Sequence, residues 1–250
     1  MEDALRRPLP QKTIGLLGGM SNQATMEYYR LLNEGLNARY GGWDNGEIVL
    51  VSVNFGNIEF MVRNHAWELA TEYLTAKLDA LERAGADVIV CVSNTMHRIL
   101  EPLMTGRTTP FIHIADPTGE AIRRAGLTRV ALLGTLPVMQ SVDLAARFRD
   151  RFGVEVMAPC AEDAVEVDRV IFDELVRREL RAESKAKYLD ILARLREAGA
   201  EGVILGCTEI FLLLGQDDMP GFSVFDTTAL HVDAVVEFVL STCGWKEPGT

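Results

Sequence analysis

AGADVIVCVSNT at residues 84–95 and AGAEGVILGCTE at residues 198–209 align without a gap, and the alignment sets Ser93 on Cys207. Each reads as a small-residue turn, a short Val/Ile/Leu-rich run and a polar close. That is the pattern of a strand buried on both faces of a parallel sheet. Two further echoes flank the pair. IGLLGG at 14–19 matches VALLGT at 130–135, and FIHIAD, ending at Asp116, matches FSVFD, ending at Asp226. Three echoes in one order indicate a duplicated unit rather than coincidence.

Helical spacing fills the intervals. Residues 24–38, 66–84 and 184–198 carry apolar residues at helical period, and the second ends in Ala84-Gly85, where a C-terminal stop belongs. The expected fold is therefore α/β: two pseudo-symmetric doubly wound domains with parallel sheets and a cleft between them. Strands are expected at 13–18, 48–54, 87–92 and 111–115 in one sheet, and at 129–133, 154–158, 202–206 and 222–226 in the other. Residues 13–115 plus a returning helix at about 229–243 would form the first domain and 116–228 the second, after a loose lead-in at 1–12.

No apolar run approaches the roughly 20 residues of a membrane span, and the lead-in lacks the apolar stretch of a signal peptide. A cytoplasmic protein with no membrane partner is expected. A net charge of -11 with no cluster of Lys and Arg argues against nucleic acid. A small anion remains an acceptable partner, since a helix N-terminus or a single Arg can hold one. Cys91, Cys160, Cys207 and Cys243 show neither CxxC spacing nor His partners at metal-site intervals, so no metal site is expected. Disulfides are not expected either. Cys91, Cys160 and Cys243 read as small buried hydrophobes.

Ligands of open parallel sheets bind beyond the carboxyl ends of the strands. This selects Gly18, Gly19, Met20 and Ser21; Ser93, Asn94 and Thr95; Gly134 and Thr135; and Cys207, Thr208 and Glu209. Such small polar residues open helices and turn backbone N–H groups toward a carboxylate. A Cys at a helix N-terminus has its thiolate favoured and can act as a base. A small residue packed after a buried strand explains the same position without chemistry. The Gly18-Gly19 pair lacks the full GxGxxG pattern and acidic partner of a dinucleotide site.

IGLLGGMSNQAT at 14–25, YYRLLN at 28–33, SNTMH at 93–97, GCTEI at 206–210 and VFDTTALH at 224–231 together resemble the aspartate/glutamate racemase family, over about Thr13 to Leu240. The resemblance implies a cofactor-independent isomerase, using no pyridoxal phosphate. In that family one residue from each domain handles the alpha proton on opposite faces of a small amino acid. Carried onto this chain, those residues are Cys207 and Ser93. Asn94, Thr95 and Thr208 would meet the substrate carboxylate, with Met20, Thr135 and Glu209 beside them. Arg63 and Arg169 are the available cations for a side-chain carboxylate, although each also reads as a solvated surface residue. His97 would orient Ser93, contact substrate or cap the helix that follows. Family members often dimerise, so a homodimer is expected.

The chain departs from the commoner pattern at position 93, where most relatives carry a second Cys. An unperturbed thiol has a pKa of about 8.5. An alcohol is far less acidic, so Ser93, or a water it holds, would give a proton more readily than take one. Turnover in one direction should be handicapped. Cys91 shares a strand face with Ser93, but its place inside the apolar run favours the core. Single-cysteine relatives that decarboxylate or isomerise small dicarboxylates are the alternative enzyme class. A solute-binding module with twin α/β domains is the non-catalytic one.

Overall fold

The computed structural model describes residues 11–242. Cys243 and the first ten residues of the lead-in lie outside the described residues. Gln11 donates to the Asn45 carbonyl (2.9 Å), and Lys12 pairs with Asp87 (3.1 Å).

Among the described residues, seven strands form two wholly parallel sheets. The first is β1 (Ile14–Gly18), β2 (Ile48–Ser52) and β3 (Val88–Cys91), in the order β2-β1-β3. The second is β4 (Arg129–Gly134), β5 (Glu155–Met157), β6 (Gly202–Gly206) and β7 (Ser223–Asp226), in the order β5-β4-β6-β7. Between them run α1 (Asn22–Tyr40), α2 (Phe55–Arg63), α3 (Trp67–Arg83), α4 (His97–Met104), α5 (Ala115–Arg124), α6 (Leu136–Met139), α7 (Val142–Phe152), α8 (Ala161–Asp173) and α9 (Ala182–Glu197). The described residues close with α10 (Thr227–Thr242). Among the described residues, no helix is long and apolar enough to cross a membrane.

The expected fourth strand of the first sheet, 111–115, is reduced to one parallel bridge, Ile89 to Phe111. Its neighbours explain why. Pro110 has no N–H to give to a ladder, and the Ile114 N–H donates instead to His97 Nε2 (3.1 Å). The chain then turns directly into α5 at Ala115.

Period-2 alternation distributes the core. Leu17, Ile89 and Cys91 face Leu74, Leu78 and Leu81 of α3. Ile14, Leu16, Val88 and Val90 face Tyr28, Leu32 and Leu36 of α1. The same cluster takes in Val232, Val235 and Val239 of α10, so the last helix packs on the first sheet. The second sheet has its own core around Val130, Leu133, Val203 and Ile204. Cys91 is buried in the core of the first sheet, as a core residue should be, but Cys160 is exposed at the N-cap of α8, against the sequence reading. A residue just ahead of a helix on an edge-strand loop has nothing above it to bury it.

Candidate active site

Strands of both sheets end at one cavity of about 50 Å3. From the first sheet it is lined by Met20 and Ser21 after β1, and by Ser93, Asn94 and Thr95 after β3. From the second come Thr135 after β4, and Gly206, Cys207, Thr208 and Glu209 at the end of β6. The turn after β1 is possible only with glycine at 19. Its φ is +89°, and a Cβ there would lie 2.2 Å from the Val53 carbonyl oxygen. α2 and α8 close the side walls with Phe55, Ile58, Val62, Ile171 and Phe172.

Glu209 organises the floor. It is 3% exposed. Its carboxyl group accepts from Ser21 Oγ (2.6 Å), Thr208 Oγ1 (2.9 Å) and the Cys207 thiol (3.0 Å). The Ser21 contact joins the two halves across the cleft. Cys207 is not at the head of an α-helix as expected, because β6 is followed by a turn and a three-residue 3-10 segment, Ile210–Leu212. Without a helix dipole to favour the thiolate, burial pushes the thiol pKa well up, and the Glu209 carboxylate pushes it further the same way. Cys207 therefore rests as a thiol, hydrogen-bonded to a proton acceptor.

Ser93 Oγ accepts the Met96 N–H (3.3 Å), which leaves its own hydrogen free. The loop behind it is tied to the other half twice. Asn94 Nδ2 donates to Thr227 Oγ1 (3.1 Å), and the hydroxyls of Thr95 and Thr135 share a hydrogen bond of 3.0 Å. Cys91 does not line the cavity, and its thiol pKa is raised by burial.

His97 also stands behind the loop rather than in the cavity. Its Nδ1 lies 2.7 Å from the Ser93 carbonyl, a group that only accepts, so Nδ1 carries the proton and Nε2 takes the Ile114 N–H. It clamps Ser93 to the start of α5. His113 and His231 pack against it, with ring centroids 4.6 and 5.9 Å away. Their tautomers are fixed too. His113 Nδ1 accepts the Ala115 N–H, while His231 gives Nε2–H to the Ile112 carbonyl and accepts from Tyr28 Oη. Burial is the main cause holding all three neutral. His113 is pushed down to about 3, His231 to about 4, and His97 well below its ordinary value.

A histidine of depressed folded pKa binds fewer protons folded than unfolded. Its stability contribution is whole above the unfolded value near 6.5 and is lost as pH falls toward the folded value. By pH 5 His113 and His231 should each have cost about 2 kcal/mol, at about 1.4 kcal/mol per pH unit, with His97 acting in the same direction. Asp168 and Asp226, whose pKa values are raised chiefly by burial, oppose this, since each gains stability as pH falls through its raised folded value. Urea unfolding should show a marked loss of stability from pH 7.5 to 5. A flat profile over that interval would contradict the neutral cluster.

A model of the Asp/Glu/Hydantoin racemase family matches residues 17–235. The chain belongs to that family. It is accordingly an isomerase. Among solved structures it is similar to a candidate Asp/Glu racemase from Yersinia pestis, with 36% identity and TM-score 0.84, covering 92% of this chain and 99% of that one. It is also similar to an aspartate racemase homologue from Pyrococcus horikoshii, with 32% identity and TM-score 0.78, covering 91% and 99%. A glutamate racemase from Francisella tularensis, solved with D-glutamate, shares the fold at 12% identity and TM-score 0.66, covering 92% and 82%.

Of the residues selected from the racemase sequence, Met20, Ser93, Asn94, Thr95, Thr135, Cys207, Thr208 and Glu209 line the cavity. The two arginines do not. Arg63 pairs with Glu59 (2.8 Å) and lies over the Phe172 ring (4.8 Å) at the side of the cavity. Arg169 is held away from it by Glu166 (2.9 Å) and the buried Glu174 (3.0 Å). Sequence reasoning did not select the apolar walls of α2 and α8, nor Thr227, nor Ser21 as the partner of Glu209. Ser21 and Thr227 lie within the motifs of the resemblance, whereas the wall residues look like any amphipathic helix face.

Proposed function

We propose that this racemase inverts a small acidic amino acid without a cofactor, with Cys207 and Ser93 serving opposite faces of its alpha carbon. One observation carries the reading: positions equivalent in the internal duplication, at the ends of β3 and β6, line a single cavity. Substrate carboxylate would be met by the hydroxyls and backbone N–H groups of Thr95, Thr135 and Thr208. As the alpha C–H bond breaks, the proton goes to Cys207 sulfur, whose own proton has passed to Glu209. The alpha carbon, left planar and stabilised through the adjacent carboxylate, takes a proton on the other face from Ser93 or a water bound to it. The cavity has room for roughly four waters at 10–15 Å3 each. That is less than aspartate needs, so α2 and α8 must part when substrate binds.

Proton NMR in deuterium oxide tests this with each enantiomer of aspartate and glutamate. The alpha-proton signal should disappear, faster from one enantiomer than from its mirror image. No loss from any of the four overturns the reading. Because Cys207 is the one thiol lining the cavity among the described residues, carbon dioxide release from a substituted malonate without exchange would point to the decarboxylase alternative. Ser93→Cys should speed the slow direction at least about tenfold, since a positioned acid–base group contributes roughly 10²–10⁴. Ser93→Ala retaining full activity in both directions would remove Ser93 from the mechanism.

A further inference from the structure

Behind Asn94 and Thr95, which it shares with the reaction cavity, lies a second cavity of about 350 Å3. Its volume is ample for an amino acid. Four charged side chains line it: Arg98 and Glu101 from α4, and Asp143 and Arg147 from α7. Two of these are already matched. Arg147 pairs with Glu101 and grips both oxygens of Asp116 (2.6 and 2.8 Å). The two histidines in the wall, His97 and His113, are kept neutral by burial.

Arg98 and Asp143 remain. Neither makes an ion pair with another described residue, and both are exposed to solvent. Arg98 is nevertheless held in place, its guanidinium 5.0 Å from the centroid of the Trp67 ring. The cavity thus presents one unmatched cation from α4 and one unmatched anion from α7. That pair suits a molecule carrying both charges, and a simple diacid or amine satisfies half of it.

We propose that this outer cavity is a binding subsite for zwitterionic amino acids, with Arg98 taking the alpha carboxylate and Asp143 the ammonium group. From there the ligand reaches the reaction cavity past the hydroxyl pair of Thr95 and Thr135. The fate of the ligand rests on the racemase reading; its capture does not.

The test is calorimetric titration of the full chain carrying Cys207→Ala with L-aspartate, L-glutamate and succinate. Two binding events are expected for the amino acids, the weaker one sensitive to salt. Arg98→Gln should weaken that event about fivefold for all three ligands. Asp143→Asn should weaken it about fivefold for the amino acids and leave succinate within twofold. Arg98→Lys should restore part of the loss. Amino-acid binding indifferent to both positions, or no amino-acid binding at all, overturns the subsite. Deuterium exchange on the unmodified chain separates the two readings. Exchange with binding indifferent to Arg98 and Asp143 sinks the subsite alone, whereas binding that depends on them without exchange sinks the racemase alone.

Discussion

Cys207→Ala should reduce exchange of the alpha proton with solvent by roughly 10³-fold, within the 10²–10⁴ that a positioned acid–base group contributes. Cys207 carries the one thiol lining the cavity among the described residues, and that thiol is hydrogen-bonded to the buried carboxyl group of Glu209. Substitution removes a single heavy atom from a cavity wall, so the fold should survive with a stability loss of about 1 kcal/mol. Thermal melting can verify that before any rate is compared. Cys207→Ser is the informative companion. It keeps a hydroxyl donor for Glu209 but offers an alcohol in place of a thiol, so exchange should stay close to the alanine variant. A folded Cys207→Ala protein exchanging within tenfold of the unsubstituted chain would exclude Cys207 as the base.

Legibility in the sequence varied with the range of the interaction. The ends of β3 and β6 were visible because buried parallel strands are short apolar runs closed by turn residues, and a duplication writes the run twice. Residues 111–115 carry the same apolar signature as a strand. What removes them from the sheet is the capture of the Ile114 N–H by His97, seventeen positions earlier in the chain. No local pattern encodes that choice. The helix expected after Cys207 failed similarly, since a polar close after a strand does not distinguish an α-helix from the short 3-10 segment found there.

The site shows the same division. Positions just past strand ends were readable from the rule that places ligands there. The hydrogen bond from Ser21 to Glu209 spans 188 residues, and it turns Glu209 from one more wall residue into the partner of the thiol. Arg63 and Arg169 were attractive as isolated cations. Their carboxylate neighbours, Glu59 and Glu166, stand four and three residues earlier on the same helices, and ion pairs at those spacings are ordinary helix-surface contacts.

Glu209→Gln isolates the proton relay. An amide has nearly the shape of the carboxylate, and its oxygen can still accept from Ser21. Its NH2 group must then face Cys207 and Thr208, where the carboxylate oxygen accepted from both. Thr208 can rotate its hydroxyl to accept; the thiol is left without a proton acceptor. Exchange should fall about 10²-fold. The thiol itself should become more acidic, because the negative charge that opposed its ionisation is gone. Activity and acidity therefore move in opposite senses, which a merely structural role for Glu209 would not produce. Thiolate absorbance can follow the titration in a background of Cys160→Ser and Cys243→Ser, the buried Cys91 being held out of range by its raised pKa. With the relay broken, residual exchange should climb with pH as the thiol ionises directly to solvent. If Glu209→Gln exchanges within threefold of the parent and its thiol titrates unchanged, Glu209 is not the group that receives the Cys207 proton.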